Sequence, residues 1–221
     1  MAIRSEGTAD HVHIYILDKE GEDVRSAYDR HSVQILQATD DGSADFLVYG
    51  YMNRGPYEGR TGVVFYHYNN AGSMVEEKFF IPAAEDFEKM KQDVEKLSYV
   101  SPEGMVYLML GGNVFGVDLS SNESILVAQG LTEGTFAVSN DGSRMAWQEG
   151  EDSAWPEKIH VMDFNTSQKQ EISASEGECV RVLGFVGSDL IYGFARQDDV
   201  WKVNGRVQGC PCMPCILWTV K

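Results

Sequence analysis

The sequence predicts an all-β fold, a β-propeller of four-stranded antiparallel blades, partial or four-bladed, with one inserted helix at about residues 83–97. Three observations carry this expectation. Short runs rich in Val, Ile, Tyr and Phe are punctuated by Gly, Asp, Asn and Ser, the chemistry of strands and tight turns. Five of these runs end in Asp or Asn: "IYILD" at Asp18, "FYHYN" at Asn69, "VFGVD" at Asp118, "IHVMD" at Asp163 and "VWKVN" at Asn204. Their spacings are 51, 49, 45 and 41 residues, close to the length of a propeller blade, about 40–50 residues. A β-sandwich also uses short strands, but it does not predict near-equal spacings with the same closing residue type.

Each unit reads as strand, turn, strand, variable loop, a strand ending in Asp or Asn, and a more polar fourth strand. Val12–Lys19 is the third strand of a leading half blade at 11–28. Whole blades follow at 33–82, 98–130 and 131–176, and a last one spans 180–207. The first turn of a blade appears in "LQATDDGSADFLVYG", "LSYVSPEGMVYLML", "FAVSNDGSRMAWQ" and "LGFVGSDLIYGF". Its Asp-Gly, Glu-Gly and Gly-Ser steps tolerate the positive φ that hairpin turns demand. "VEEKFFI", "SILVAQ" and "KQEISA" are the clearest fourth strands, and "LGGNVFG" reads as a hairpin turn.

Between the first whole blade and the next, "AAEDFEKMKQDVEKL" (83–97) puts Phe87, Met90, Val94 and Leu97 at helical spacing. Glu85 and Lys89 stand four apart in the favourable order, and acids crowd the first turn. The apolar stripe is expected to pack over the end of the propeller.

The stretch "VSNDGSRMAWQEG…KIHVMDFNTSQKQEIS" resembles the TolB-type propeller repeat, whose turn is Ser-Pro-Asp-Gly and whose next strand is Ile-Tyr-Val-Met-Asp-like. Ser139, Asp141 and Gly142 match the turn, with Asn140 in place of Pro; Ile159, Val161, Met162 and Asp163 match the strand. Ser101, Pro102 and Gly104 repeat the turn, with Glu103 in the Asp place. The similarity covers roughly residues 11–207 and implies a fold more than an activity. The chain reads as a fragment of a longer propeller, since it starts inside a blade, and open blade edges are expected to favour self-association.

Composition narrows the function classes. The chain has 221 residues, 43% of them hydrophobic, enough for one sizeable core. Its formal charge of −16 works against nucleic acid and anionic lipid as partners. No apolar run reaches the roughly 20 residues of a membrane span, and "MAIRSEGTADH" lacks a signal-peptide core. The tail at 208–221 is atypical and Cys-rich: "GCPCMPCILWTVK" holds Cys210, Cys212 and Cys215, while Cys179 stands apart. Thiolates at this spacing could share one ion, but two prolines interrupt them and a fourth ligand would have to come from Cys179 or a His. His11 and His13 alternate on one strand without an acid or thiol at ligand spacing, and His67 and His160 read as packing residues. No metal and no cofactor are therefore expected.

No Gly-x-Ser-x-Gly elbow or phosphate-cradling loop appears, so the chain is not expected to be an enzyme. The acidic loop "EGEDSAWPE" (149–157) lacks the alternating oxygen ligands of a calcium loop. Together with "MNRGPYEGRTG" (52–62) it joins the second strand of a blade to the third, so both loops belong on one end. Tyr57, Arg60 and Trp155 are the candidate binding residues, being types enriched at recognition hot spots. The resulting expectation is a non-enzymatic, extracytoplasmic binding propeller that recognises a protein, peptide or glycan on one end face. The alternative is the propeller accessory domain of a prolyl-oligopeptidase-like peptidase whose catalytic domain lies outside this chain.

Overall fold

The computed structural model describes residues 2–5, 12–15, 31–53, 55–150, 155–196, 201–203, 206–209 and 215–218. It is a β-propeller assembly of antiparallel sheets stacked face to face. A small ribbon, β1 (Ala2–Ser5) and β2 (Val12–Tyr15), precedes them. The first four-stranded sheet is β3 (His31–Ala38), β4 (Ala44–Tyr51), β5 (Thr61–Asn69) and β6 (Met74–Pro82), paired in chain order. The second is β7 (Ser98–Val100), β8 (Met105–Leu110), β9 (Asn113–Asp118) and β10 (Ser124–Ala128). The third is β11 (Phe136–Val138), β12 (Arg144–Glu149), β13 (Lys158–Asp163) and β14 (Gln168–Ser173). Of the predicted half blade at 11–28, all but 12–15 lies outside the described residues, as do Asp18, Asn204, His11, Cys210, Cys212 and residues 151–154.

The second strand of the second sheet, β8, is a continuous apolar run because both of its faces are buried. Val106, Leu108 and Leu110 pack with Leu47, Tyr49, Val63 and Phe65 of the first sheet. Tyr107 and Met109, one residue out of phase, pack with Met145, Trp147 and Met162 of the third. Side chains alternate across a strand, so one run serves two interfaces. Near the propeller centre the first strands abut, with Gln34 Nε2 donating to Ser98 Oγ at 2.7 Å.

The fourth sheet departs from the spacing pattern. β15 (Glu178–Val186) pairs with β16 (Asp189–Arg196). The strand beyond β16 is not the run ending at Asn204. β17 (Trp201–Val203) and β18 (Arg206–Gly209) instead form their own hairpin. The third place goes to β19 (Cys215–Trp218), with Leu190 opposite Trp218 and Gly193 opposite Cys215. β19 brings Ile216 to the cluster around Val180, Val182 and Tyr192.

Helix α1 (Phe87–Lys96) starts at Asp86, whose side chain accepts from the Lys89 N–H at 2.9 Å. Met90 and Val94 enter the cluster shared by the first two sheets, Phe87 packs at its edge, and Leu97 is buried one interface further on. The stripe is therefore buried as the spacing predicts. The expected Glu85–Lys89 pair is not an intrahelical one, because the helix begins after Glu85. Lys89 Nζ instead meets Asp93 Oδ1 at 2.5 Å, and the Asp93 side chain is 1% exposed.

Candidate functional site

The two ends of the sheets are built differently. One end holds the turns that the repeat specifies. Gly42 N donates to Thr39 O and Gly142 N to Ser139 O, both at 2.9 Å, and both glycines take positive φ. Asp41 Oδ1 accepts from Thr39 Oγ1 (2.5 Å) and Ser43 N (2.9 Å); Asp141 Oδ1 accepts from Ser139 Oγ (2.6 Å) and Ser143 N (3.1 Å). These bonds, led by the Thr39 and Ser139 hydroxyls, hold both carboxyls below the usual carboxylate range.

The closing Asp or Asn of each third strand serves the second turn at this end. Asn69 Oδ1 accepts from Gly72 N at 3.0 Å, Asp118 Oδ1 from Ser120 N at 2.7 Å, and Asp163 Oδ1 from Asn165 N at 2.9 Å. Four residues after each comes a non-glycine residue with positive φ: Ser73, Asn122 and Ser167. The recurring acid is thus a turn former. The sequence shows the acid, but the left-handed residue four places on varies in type and carries no visible signal.

The opposite end carries what does not repeat: residues 52–53 and 55–60 between β4 and β5, helix α1, the Gly111–Gly112 turn, the 129–135 connection, and Gly150 and residues 155–157 between β12 and β13. Antiparallel order alone places them together, since the second-to-third-strand loop and the exit of the fourth strand share an end. Both glycines of the Gly111–Gly112 turn have positive φ, and a Cβ on Gly112 would stand 2.7 Å from Leu131 O.

Tyr57 and Arg60 come together on the first sheet. The Tyr57 ring stacks on Phe80 of β6 with centroids 4.2 Å apart, and the Arg60 guanidinium sits 4.7 Å above Phe80 and 5.9 Å from Tyr57. Burial and the Glu77 carboxylate raise the Tyr57 phenol above its usual value. Trp155, half-buried, belongs to the equivalent loop of the third sheet, and among the described residues no ring contact joins it to Tyr57 or Arg60.

A cleft of about 720 Å³ lies between the outer part of the second sheet and the third sheet, opening at the loop end. The chain from Leu126 to Thr132 forms one wall, and Trp147, Gln148, Glu149, Gly150 and Lys169 line the other. Trp147 is 5% exposed and lies beneath Lys169, whose Nζ is 4.9 Å from the ring centroid. His160 is cross-strand from Trp147, its ring tilted against the indole at 5.3 Å. Its Nε2 is in hydrogen-bond contact with Glu149, and its Nδ1 stands 4.0 Å from Glu171 Oε2. Gln148 Oε1 is committed to the Val182 N–H at 2.9 Å. Sequence reasoning missed Trp147 and Lys169. Trp147 reads as an ordinary strand residue, and the cleft exists only once two sheets face each other. Among the described residues, no three His, Cys, Asp or Glu side chains converge as a metal-ligand group, and no helix is long and apolar enough to cross a membrane.

No family model matches the chain, and no curated protein matches it in sequence. Among solved structures it is similar to the β-propeller domain of the Trilobed protease from Pyrococcus furiosus, at 8% identity and a TM-score of 0.39, over 85% of this chain and 53% of that one. The tricorn protease is similar at 13% identity and 0.39, over 80% of this chain and 16% of that one. The acylaminoacyl peptidase of Pyrococcus horikoshii is similar at 10% identity and 0.39, over 87% and 32%. The chain thus spans about half or less of the length of these solved chains.

Proposed function

We propose that this chain is a non-enzymatic binding propeller that recognises its partner, a protein, peptide or glycan, on the end face carrying the 52–60, 129–135 and 149–157 segments. The observation that carries this reading is the asymmetry of the two ends. One is made of short turns with repeated hydrogen bonds, and the other gathers the irregular loops, the helix and the 720 Å³ cleft. Recognition concentrates on loops held by a rigid scaffold, and the cleft volume lies in the range of ligand sites, about 300–1,000 Å³. The matching turn bonds of Asp41 and Asp141 support the TolB-type repeat, and with it an extracytoplasmic setting.

The test is a displayed peptide library and a glycan array screened against the full chain, followed by hydrogen-exchange footprinting of the best ligand. Protection at 52–60, 129–135 or 149–157 supports the reading. Protection confined to the opposite turns at 39–43, 101–105 and 139–143, or no ligand from either screen, sinks it.

A further inference from the structure

We infer that the cleft beside β10 takes an extended basic peptide, which adds to the second sheet as a fifth strand along β10. This rests on the end-face reading above and names the ligand class.

Among the described residues β10 is the edge of its sheet and pairs with β9 alone. A sheet edge presents a row of backbone N–H and C=O groups, and proteins usually blunt it with charge or proline. The outer strands of the first and third sheets follow that rule: β6 carries Glu76, Glu77, Lys78 and Pro82, and β14 carries Lys169 and Glu171. β10 reads Ser-Ile-Leu-Val-Ala, with neither charge nor proline, and Ile125 and Leu126 are each 52% exposed. Its pairing shifts between Leu126 and Ala128, where the chain turns along the wall of the cleft. An extended segment laid on β10 therefore runs from an open edge into a preformed space.

Charge selects the segment. Glu149, with a side chain 62% exposed, stands where the cleft meets a second hollow of about 300 Å³ lined by Glu149, Gly150, Glu157 and Lys158. Glu123 and Glu133 border β10 and the connection that follows it, both exposed. The nearby cations are engaged: Lys96, which shares a hollow with Glu133, lies 5.7 Å from the Phe136 ring centroid. Lys158 Nζ pairs with Glu171 at 3.0 Å, and Lys169 lies over the Trp147 face. With −16 on the whole chain, the field draws in a cationic ligand. Main-chain hydrogen bonds to β10 would supply affinity, and a Lys or Arg reaching Glu149 and Glu157 would supply selectivity.

The probe is a capped hexapeptide alternating valine and lysine, titrated by calorimetry into the full chain. Its controls are the same peptide with glutamate for lysine and the same peptide N-methylated at alternate residues. The expected result is binding of the lysine peptide with hydrogen-exchange protection at Ser124–Ala128, and none for either control. Glu149→Gln should weaken binding about two- to fivefold, as expected for losing one partly exposed charge contact. Ile125→Lys, a change at an exposed site, should abolish it. Equal binding of the N-methylated or glutamate peptide overturns the inference, as does no binding at all. Protection confined to 52–60 also overturns it and leaves the end-face reading standing. Should Ile125→Lys fail to fold, the N-methylated peptide still decides the question.

Discussion

Phe164, from the turn that ends β13, stacks on Tyr107 of β8 with ring centroids 4.2 Å apart. The contact joins the third sheet to the second at the turn end. Tyr107 Oη is also 3.0 Å from Ser167 Oγ, and Phe164 N donates to Ser143 O at 2.8 Å. Both rings are fully buried. Phe164→Ala is expected to cost about 3–5 kcal/mol, the range for deleting a buried aromatic. A urea melt reads this as a lower midpoint. A loss below about 1 kcal/mol would mean that the interface repacks freely.

The two lysine–acid pairs of α1 should differ in weight. Lys89 neutralises a buried Asp93, whose Oδ2 also accepts from Gly112 N at 3.4 Å. Lys91 and Glu95 lie 3.8 Å apart with both side chains near half exposed. Lys89→Met leaves a buried carboxylate short of its cation and should cost about 1–3 kcal/mol, less than a fully buried pair because Lys89 is 47% exposed. Lys91→Met should stay within about 0.5 kcal/mol. Equal losses in thermal melts would contradict this ranking.

Asp141 gives the acid limb a defined sign. Its folded pKa is lowered from 3.8, led by the Ser139 hydroxyl. The ionised form therefore stabilises the fold above that value, and the contribution is lost as pH falls through the lower, folded pKa. Asp141→Asn has no such titration. The gap in melting temperature between wild type and Asp141→Asn should be larger at pH 6 than at pH 2.5. A gap independent of pH would refute the assignment.

Tyr66 contributes to the alkaline limb. Burial and then the Glu77 carboxylate push its phenol up from 10.0 to about 12. The folded state holds that proton when the unfolded chain has already lost it, so stability falls as pH rises from about 10 to about 12. Tyr66→Phe should flatten this fall. Melts at pH 9 and pH 11 in both proteins measure it, and equal slopes would exclude Tyr66 as the source.

Much of the fold was legible because its signals are local. Tight turns depend on a few adjacent residues, so Asp141, Gly142 and Asp163 announce themselves. The helix stripe Phe87, Met90, Val94 and Leu97 depends on one period. Lys89 has an acid four residues away on each side, Glu85 and Asp93, so spacing alone does not choose between them, and only the cap at Asp86 places Glu85 outside the helix. Tyr57 and Arg60 could be named as neighbours in one loop, but not that both would lie over Phe80.

The sequence by itself determined the strands of the three four-stranded sheets, their turns and the helix, since period, apolar run and turn residue are read from neighbours along the chain. Tertiary structure alone decided that Val106 and Tyr107 serve different interfaces, that Trp147 lies under Lys169 in a cleft, and that Cys215–Trp218 completes the fourth sheet. Those outcomes turn on which surfaces meet across long stretches of chain. Burial of apolar area is blind to direction along the sequence, so it selects partners that no local pattern names.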